Sequence, residues 1–261
     1  MAVRFDNSGE GYTTTAGVPT GSAWTILLWV NMKVDTNNYA KVWALKGGTT
    51  VLFLSSGAEG NAFAVWGSFG NAAGITATAD TWFRSAVVAT GSGDSTHYFG
   101  AVGDALSSQA TPEFVGDAPA DATSLTISGE LGEHLNGCVA GLKIWSATLT
   151  QAEIENEFTQ YVPIRTANLI HWHPFLAADT VDYSGNANAL TGGTGASTED
   201  GPPIPWETGE VGLFLPTTGP STTVSAENSA GTGVANDSAV TVTDAPRPVF
   251  RRFAIPRAAN F

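Results

Sequence analysis

A chain of 261 residues with 30 glycines and only 13% charged side chains has the length for one large β-sandwich and the composition of short strands joined by tight turns. Its formal charge of −13 argues against nucleic acid and anionic membrane as partners. The single cysteine, Cys138, excludes an intramolecular disulfide, and no apolar run approaches the roughly 20 residues that span a bilayer.

Alternation begins at Ala2 and predicts a strand over Ala2–Phe5, with no apolar core or cleavage pattern of a signal peptide before it. Trp24–Met32 sets Ile26, Leu28 and Val30 on one face and Leu27 and Trp29 on the other, which marks a central strand covered on both sides. Lys41–Leu45, Val51–Leu54 and Ala62–Trp66 read as further strands between Gly-rich turns. Leu135–Phe158 starts as a strand, with Val139, Gly141, Lys143 and Trp145 alternating against Ala140, Leu142 and Ile144. It then enters a short helix through a Thr150/Glu153 capping box, with Ala152, Ile154 and Phe158 as its apolar stripe. Trp29 and Trp145 are expected to be buried between two sheets, and Trp24 and Trp82 to be core residues as well.

Beyond the helix, Leu169–Phe175 reads as a strand and Gly212–Leu215 as a last one. Residues 217–245 form a Ser/Thr/Ala/Gly-rich linker or short hairpin without enough apolar residues for a core of its own. Residues 246–261, PRPVFRRFAIPRAANF, alternate arginines with aromatic and aliphatic side chains. Prolines bar a regular helix or central strand there, so the segment reads as an extended basic–aromatic arm. Residues 1–245 carry all 24 acids and 7 of the 11 basic residues; the arm carries four arginines and no acid. Arg247, Phe250, Arg251, Arg252, Phe253, Arg257 and Phe261 are its candidate docking residues.

Several segments resemble one family. Ala2-Val3-Arg4-Phe5-Asp6 with Tyr12 resembles an A-[LV]-x-F-D-G…Y opening, with Asn7 where glycine is usual. Trp24–Val30 resembles F-T-[IL]-x-x-W-[IV], and Asn136–Trp145 followed by Leu149-Thr150-x-x-Glu153-Ile154 resembles the closing strand and helix of laminin-G-like jelly rolls in the concanavalin A-like lectin/glucanase superfamily. Asp182-x-Ser184-Gly185-Asn186-x-Asn188 is similar to a D-x-S-G-N segment that in this family precedes the first strand. Here it follows the helix, as in a circularly permuted domain. The resemblance spans residues 1–216. It implies an all-β fold, a two-sheet antiparallel jelly-roll sandwich with one short helix, to which the arm is added.

Glu153, Glu155 and Glu157 do not reproduce the strand-borne acids of the superfamily's glucanases, whose carboxylates stand about 5–5.5 Å apart in retaining chemistry. They follow a capping box and read as helix surface, so no catalytic residue is assigned. His171 and His173 have a spacing that suits zinc, but a third ligand is missing and packing is the favoured role. His97 and His134 have no nucleophile pattern around them. Asp179, Asp182, Asn186 and Asn188, with Ser184, offer oxygen ligands for calcium and equally the Asx chemistry that closes a turn without an ion. No other cofactor is expected. Trp66, Trp172 and Trp206 lie near turns and are the candidate platforms for a glycan.

Two functional readings follow. The favoured one is a non-enzymatic structural protein of a bacteriophage virion, a capsid decoration or fibre module made in the host cytoplasm. Its partners are other virion proteins or its own copies through the arm, with weak binding of cell-surface glycan. The alternative is a carbohydrate-binding lectin module, with a glycoside hydrolase a distant third.

Overall fold

The computed structural model describes residues 1–6, 9–20, 23–33, 40–47, 51–56, 62–67, 70–71, 75–76, 78–90, 95–111, 122–129 and 134–206. The N-terminal half contributes β1 (Ala2–Asp6), β2 (Tyr12–Thr14), β3 (Ala23–Met32), β4 (Lys41–Lys46), β5 (Val51–Ser56), β6 (Ala62–Gly67), β7 (Gly70–Asn71) and β8 (Ile75–Thr76). Then come β9 (Trp82–Thr90), β10 (Ser95–Ala101), β11 (Ser107–Thr111), β12 (Ser124–Ile127) and β13 (Asn136–Trp145). The helix α1 (Gln151–Glu157) precedes β14 (Leu169–His173), β15 (Thr191–Gly192) and β16 (Ser197–Glu199).

These elements form a jelly-roll sandwich of two antiparallel sheets. The first runs β11-β10-β9-β3-β13-β1-β16, with β14 also on β13; the second runs β15-β2-β12-β4-β5-β6-β7, with β8 on β6. β13 gives one edge to β3 and shares the other between two partners. Its first half pairs with β1, Val3 opposite Val139, and its second half with β14, Leu142 opposite His173. The segment that the sequence places out of family order thus fills the first sheet, with β16 pairing on β1.

β3 is central, as its pattern predicts. Every residue from Trp24 to Met32 is buried between β9 and β13. Ile26, Leu28 and Val30 enter the core between the sheets, where they meet Val42, Trp43, Leu45, Leu125 and Ile127 of the second sheet. Trp24 joins them edge-on to Trp43, with ring centroids 6.4 Å apart.

The strict alternation expected of β13 breaks. A bulge lies between Ala140 and Lys143, and Gly141 there has φ +56°. A Cβ at Gly141 would stand 2.4 Å from Trp29 Cζ3, so both backbone angle and space require glycine. The bulge resets the side chains: Val139, Leu142 and Ile144 face the second sheet, whereas Cys138, Ala140 and Trp145 face away. Trp29 and Trp145 are therefore fully buried but not between the sheets. They lie on the outer face of the first sheet, under Ile154, Phe158 and Tyr161. Trp82 is half-buried at the margin of that outer cluster.

The helix is capped as read. Thr150 Oγ1 accepts from the Glu153 backbone N–H, and Glu153 Oε2 accepts from the Thr150 N–H at 2.8 Å. Glu157, expected on the helix surface, is instead buried at 1% exposure. Lys143, which the bulge turns toward the helix, donates to Glu157 Oε2 at 2.8 Å and to the carbonyls of Glu157 and Gln160. Its ammonium stands 5.6 Å from the centroid of the Trp29 ring. Glu157 also accepts the backbone N–H groups of Ile164 and Arg165, so one carboxylate ties strand, helix and the following loop together. Burial pushes the Lys143 ammonium down to about 8 against the pull of Glu157.

The chain divides into compact units at 208/209. The expected strand at 212–215, the linker 217–245 and the arm 246–261 with its docking residues lie outside the described residues.

Candidate functional site

The oxygen-rich turn and two of the three candidate tryptophans, separate in the sequence, meet on the outer side of β14. Asp182 is the centre. Its Oδ1 accepts from the backbone N–H of Trp172 at 3.0 Å and of Ser184 at 2.9 Å. Its Oδ2 accepts from Ser184 Oγ at 2.8 Å and the Asn188 N–H at 2.9 Å. Partial burial opposes its ionisation, yet these bonds hold the carboxyl below its ordinary value. Asn186 and Asn188 turn their amide N–H groups onto β14, donating to Leu169 O and Ile170 O at 2.8 Å each. Asp179 accepts from the Tyr183 hydroxyl at 3.2 Å and is raised by burial.

The four residues considered for calcium are thus placed in one loop, where hydrogen bonds engage Asp182, Asn186 and Asn188. Asp182 spends its lone pairs on N–H and O–H donors, and the two asparagines face β14 as donors where a cation needs oxygen. Among the described residues no group of three or more His, Cys, Asp or Glu side chains is placed to hold a metal. The bonds of Asp182 and Ser184 to the following backbone are those of an Asx-closed turn.

The aromatic half of the patch is a chain of rings. Trp172 packs on Tyr183 and on Trp206, both with centroids 5.9 Å away, and Trp206 stacks on Tyr161 at 6.0 Å. Tyr161 reaches the buried Trp29 at 5.5 Å. The neighbouring backbone is strapped down, with Tyr161 N–H donating to Pro205 O and Val162 N–H to Trp206 O. Trp172 is 7% exposed, whereas Trp206 and Tyr183 are half-buried. Trp66 lies on β6, opposite Phe53 and Asn71, and its side chain is outside the described residues.

Sequence reasoning missed the tyrosines. Tyr183 sits inside the recognised D-x-S-G-N segment and Tyr161 three residues after Phe158, but nothing local says that their rings converge. The Lys143–Glu157 pair had a visible signal: a lysine inside an otherwise apolar, two-sided strand requires a partner.

The histidines are all internal or bonded to backbone. His97 Nε2 lies 2.9 Å from Ser85 Oγ, an alcohol–imidazole contact that the sequence did not suggest. Both are at most 2% exposed, and desolvation pushes His97 down to about 4, so this pair is sealed packing. His134 Nδ1 lies 3.2 Å from Glu10 O. His171 and His173 are fully buried on the inner face, their rings 5.4 Å apart.

No family model matches this chain, and no curated protein matches it. Among solved structures it is similar to a candidate carbohydrate-binding protein from Bacteroides ovatus, at TM-score 0.55 and 16% identity over 79% of this chain. It spans 61% of that protein's length, and an identity this low shows the fold alone. The tailspike protein 2 of an Escherichia coli O157:H7 bacteriophage is similar at TM-score 0.49, 12% identity, 62% of this chain and 25% of the tailspike. A Ruminococcus gnavus sialidase carbohydrate-binding module, bound to α2,3-sialyllactose, is similar at TM-score 0.42, 11% identity, 59% of this chain and 93% of the module.

Proposed function

We propose that this protein is a non-enzymatic, glycan-recognising β-sandwich. The observation that carries the reading is the meeting of half-exposed Trp206 and Tyr183 rings with the Asp182–Asn188 turn. A ring that accepts the apolar side of a pyranose, beside a polar turn, is the chemistry a sugar requires. The fold shared with the candidate carbohydrate-binding protein supports it. Four of the described carboxylates serve the fold: Glu153 caps a helix, Glu157 neutralises Lys143, Asp182 closes a turn and Glu199 meets Arg4 and Lys33.

A glycan array followed by calorimetry on the best ligand tests the reading. Trp206→Ala and Tyr183→Ala are each expected to weaken binding at least tenfold, about 1.4 kcal/mol, with the fold intact by circular dichroism. A wild-type protein that binds no glycan, or variants that bind like wild type, would remove it.

A second reading, a virion structural role, is favoured by the charge contrast between the acidic chain and the arm of four arginines at 246–261. On that reading the arm anchors the sandwich to other virion proteins or to a second copy, and neither nucleic acid nor membrane is a partner. Deleting residues 246–261 should then abolish incorporation into phage particles while leaving the sandwich folded; normal incorporation of the truncated protein would defeat it.

A further inference from the structure

The outer nitrogens of His171 and His173 each face a backbone carbonyl. His171 Nε2 lies 3.0 Å from Gly17 O, and His173 Nδ1 lies 2.9 Å from Val181 O. A carbonyl oxygen only accepts, so each of these nitrogens carries a hydrogen. A neutral imidazole has one such hydrogen. The inner nitrogens, His171 Nδ1 and His173 Nε2, are then bare lone pairs facing each other at 3.2 Å. The ring centres are 5.4 Å apart, longer than the nitrogen separation by about two ring radii, so both nitrogens lie near the line of centres. That is the geometry of an N–H···N bond that lacks its hydrogen, rather than of two ligands bent toward a common ion.

We propose that this pair is a proton-operated latch: it takes up one proton between the rings and stays shut, and takes up a second only by opening. With one added proton, three hydrogens serve three contacts. With two, both inner nitrogens bear hydrogens, and two cations face each other in an apolar core. The latch joins three pieces: β14 itself, the turn at Gly17 after β2, and the loop 176–190 through Val181. That loop carries Asp182 and Tyr183, so the latch is one of the ties that hold a wall of the aromatic patch on β14, beside the bonds of Asp182, Asn186 and Asn188.

Burial is the largest influence on both rings and disfavours their charge; the groups around them oppose it only in part. Asp182, from the latched loop, favours protonation of both rings, and carbonyls of Ala16, Gly17 and Asn188 do so at His171. β13 opposes the pair with Leu142 and Ile144, while Lys143 points to the other face and is neutralised by Glu157. From β2, Tyr12 reaches the pair through Phe175, which stacks on His173; burial and then Asp179 push its phenol up to about 12, so it stays neutral. Asp179 itself is bonded to Tyr183. Burial lowers both imidazoles, and His173 falls to about 4 through burial first and the charge on His171 second. The first proton therefore enters below the ordinary imidazole range and the second lower still. Because both folded values are depressed, the latch contributes fully above the ordinary imidazole range, weakens as pH falls below it while still shut, and is lost with the second proton.

Imidazole nitrogen NMR on the full chain from pH 8 to 3, with amide hydrogen exchange, tests this. The expected result is uptake of one proton per pair with loop protection unchanged. With the second proton, exchange in 176–190 should then rise at least tenfold while β3 stays protected. His171→Gln keeps an N–H for Gly17 O but cannot form a second cation, so its loop should stay closed at that pH. Two rings that titrate independently near the ordinary imidazole value would overturn the proposal. So would a loop that opens with the first proton, or a His171→Gln variant that opens at the wild-type pH. Should His171→Gln fail to fold, the wild-type titration decides by itself.

Discussion

The inner face of the first sheet meets the second sheet through Trp24, Ile26, Leu28, Val30, Leu142 and Ile144, an almost wholly apolar contact. The outer face buries Trp29 and Trp145 just as deeply, but under a helix and a loop that polar bonds hold in place. Trp145 Nε1 donates to Arg165 O at 2.8 Å, and Lys143 and Glu157 bind the same stretch from beneath. The two faces show two ways to cover a sheet. An opposing sheet repeats with the strand period and needs only apolar side chains; an irregular cover has backbone groups without strand partners, and each needs an acceptor or donor.

The largest test of this contrast is Trp145→Ala, expected to destabilise by about 3–5 kcal/mol. Trp43→Ala, in the inner core, should fall in the same range. The difference should lie in hydrogen exchange: Trp145→Ala loosens residues 158–168 specifically, whereas Trp43→Ala lowers protection across both sheets. Identical exchange patterns would mean that the outer cover is not a separate construction.

Glu157→Gln comes next, at about 3 kcal/mol, because it leaves the Lys143 ammonium buried without its counter-charge. Adding Lys143→Met should recover more than half of that loss in denaturant melts, since an apolar pair at this site removes the uncompensated charge. A double variant no more stable than Glu157→Gln would show that the carboxylate matters for its bonds to Ile164 and Arg165 rather than for Lys143.

The smallest effect belongs to the exposed end of the cover. Thr150→Ala should cost about 1 kcal/mol through loss of the N-cap. Glu153 is held below its ordinary value, first by the Thr150 backbone N–H and then by the Thr150 side chain. Its contribution is present above the ordinary carboxyl range and is lost as pH falls through the lowered value. Melts of wild type and Glu153→Gln at neutral and acid pH should differ at the former and converge at the latter.

What was legible in the sequence was periodic or strictly local. Period-two alternation marked β3 as central, T-x-x-E marked the helix start, and D-x-S-G-N marked an oxygen-rich turn, because each is decided by neighbours a few residues apart. These features, with the family resemblance, determined the all-β sandwich. The side on which Trp29 and Trp145 are buried was not legible, since both faces of such a strand are apolar and Gly141 gives no local sign of a bulge. Nor was the fate of Glu157, which by its helix position alone belongs to the surface. The tertiary structure decided these, and it also brought Trp172, Tyr183 and Trp206 to one patch and set His171 against His173. The physical reason is shared: a buried charge, a lone pair or an aromatic edge is satisfied by whichever distant group the packing brings to it. That partner lies 14 residues away for Lys143 and Glu157, and 154 for His171 and Gly17.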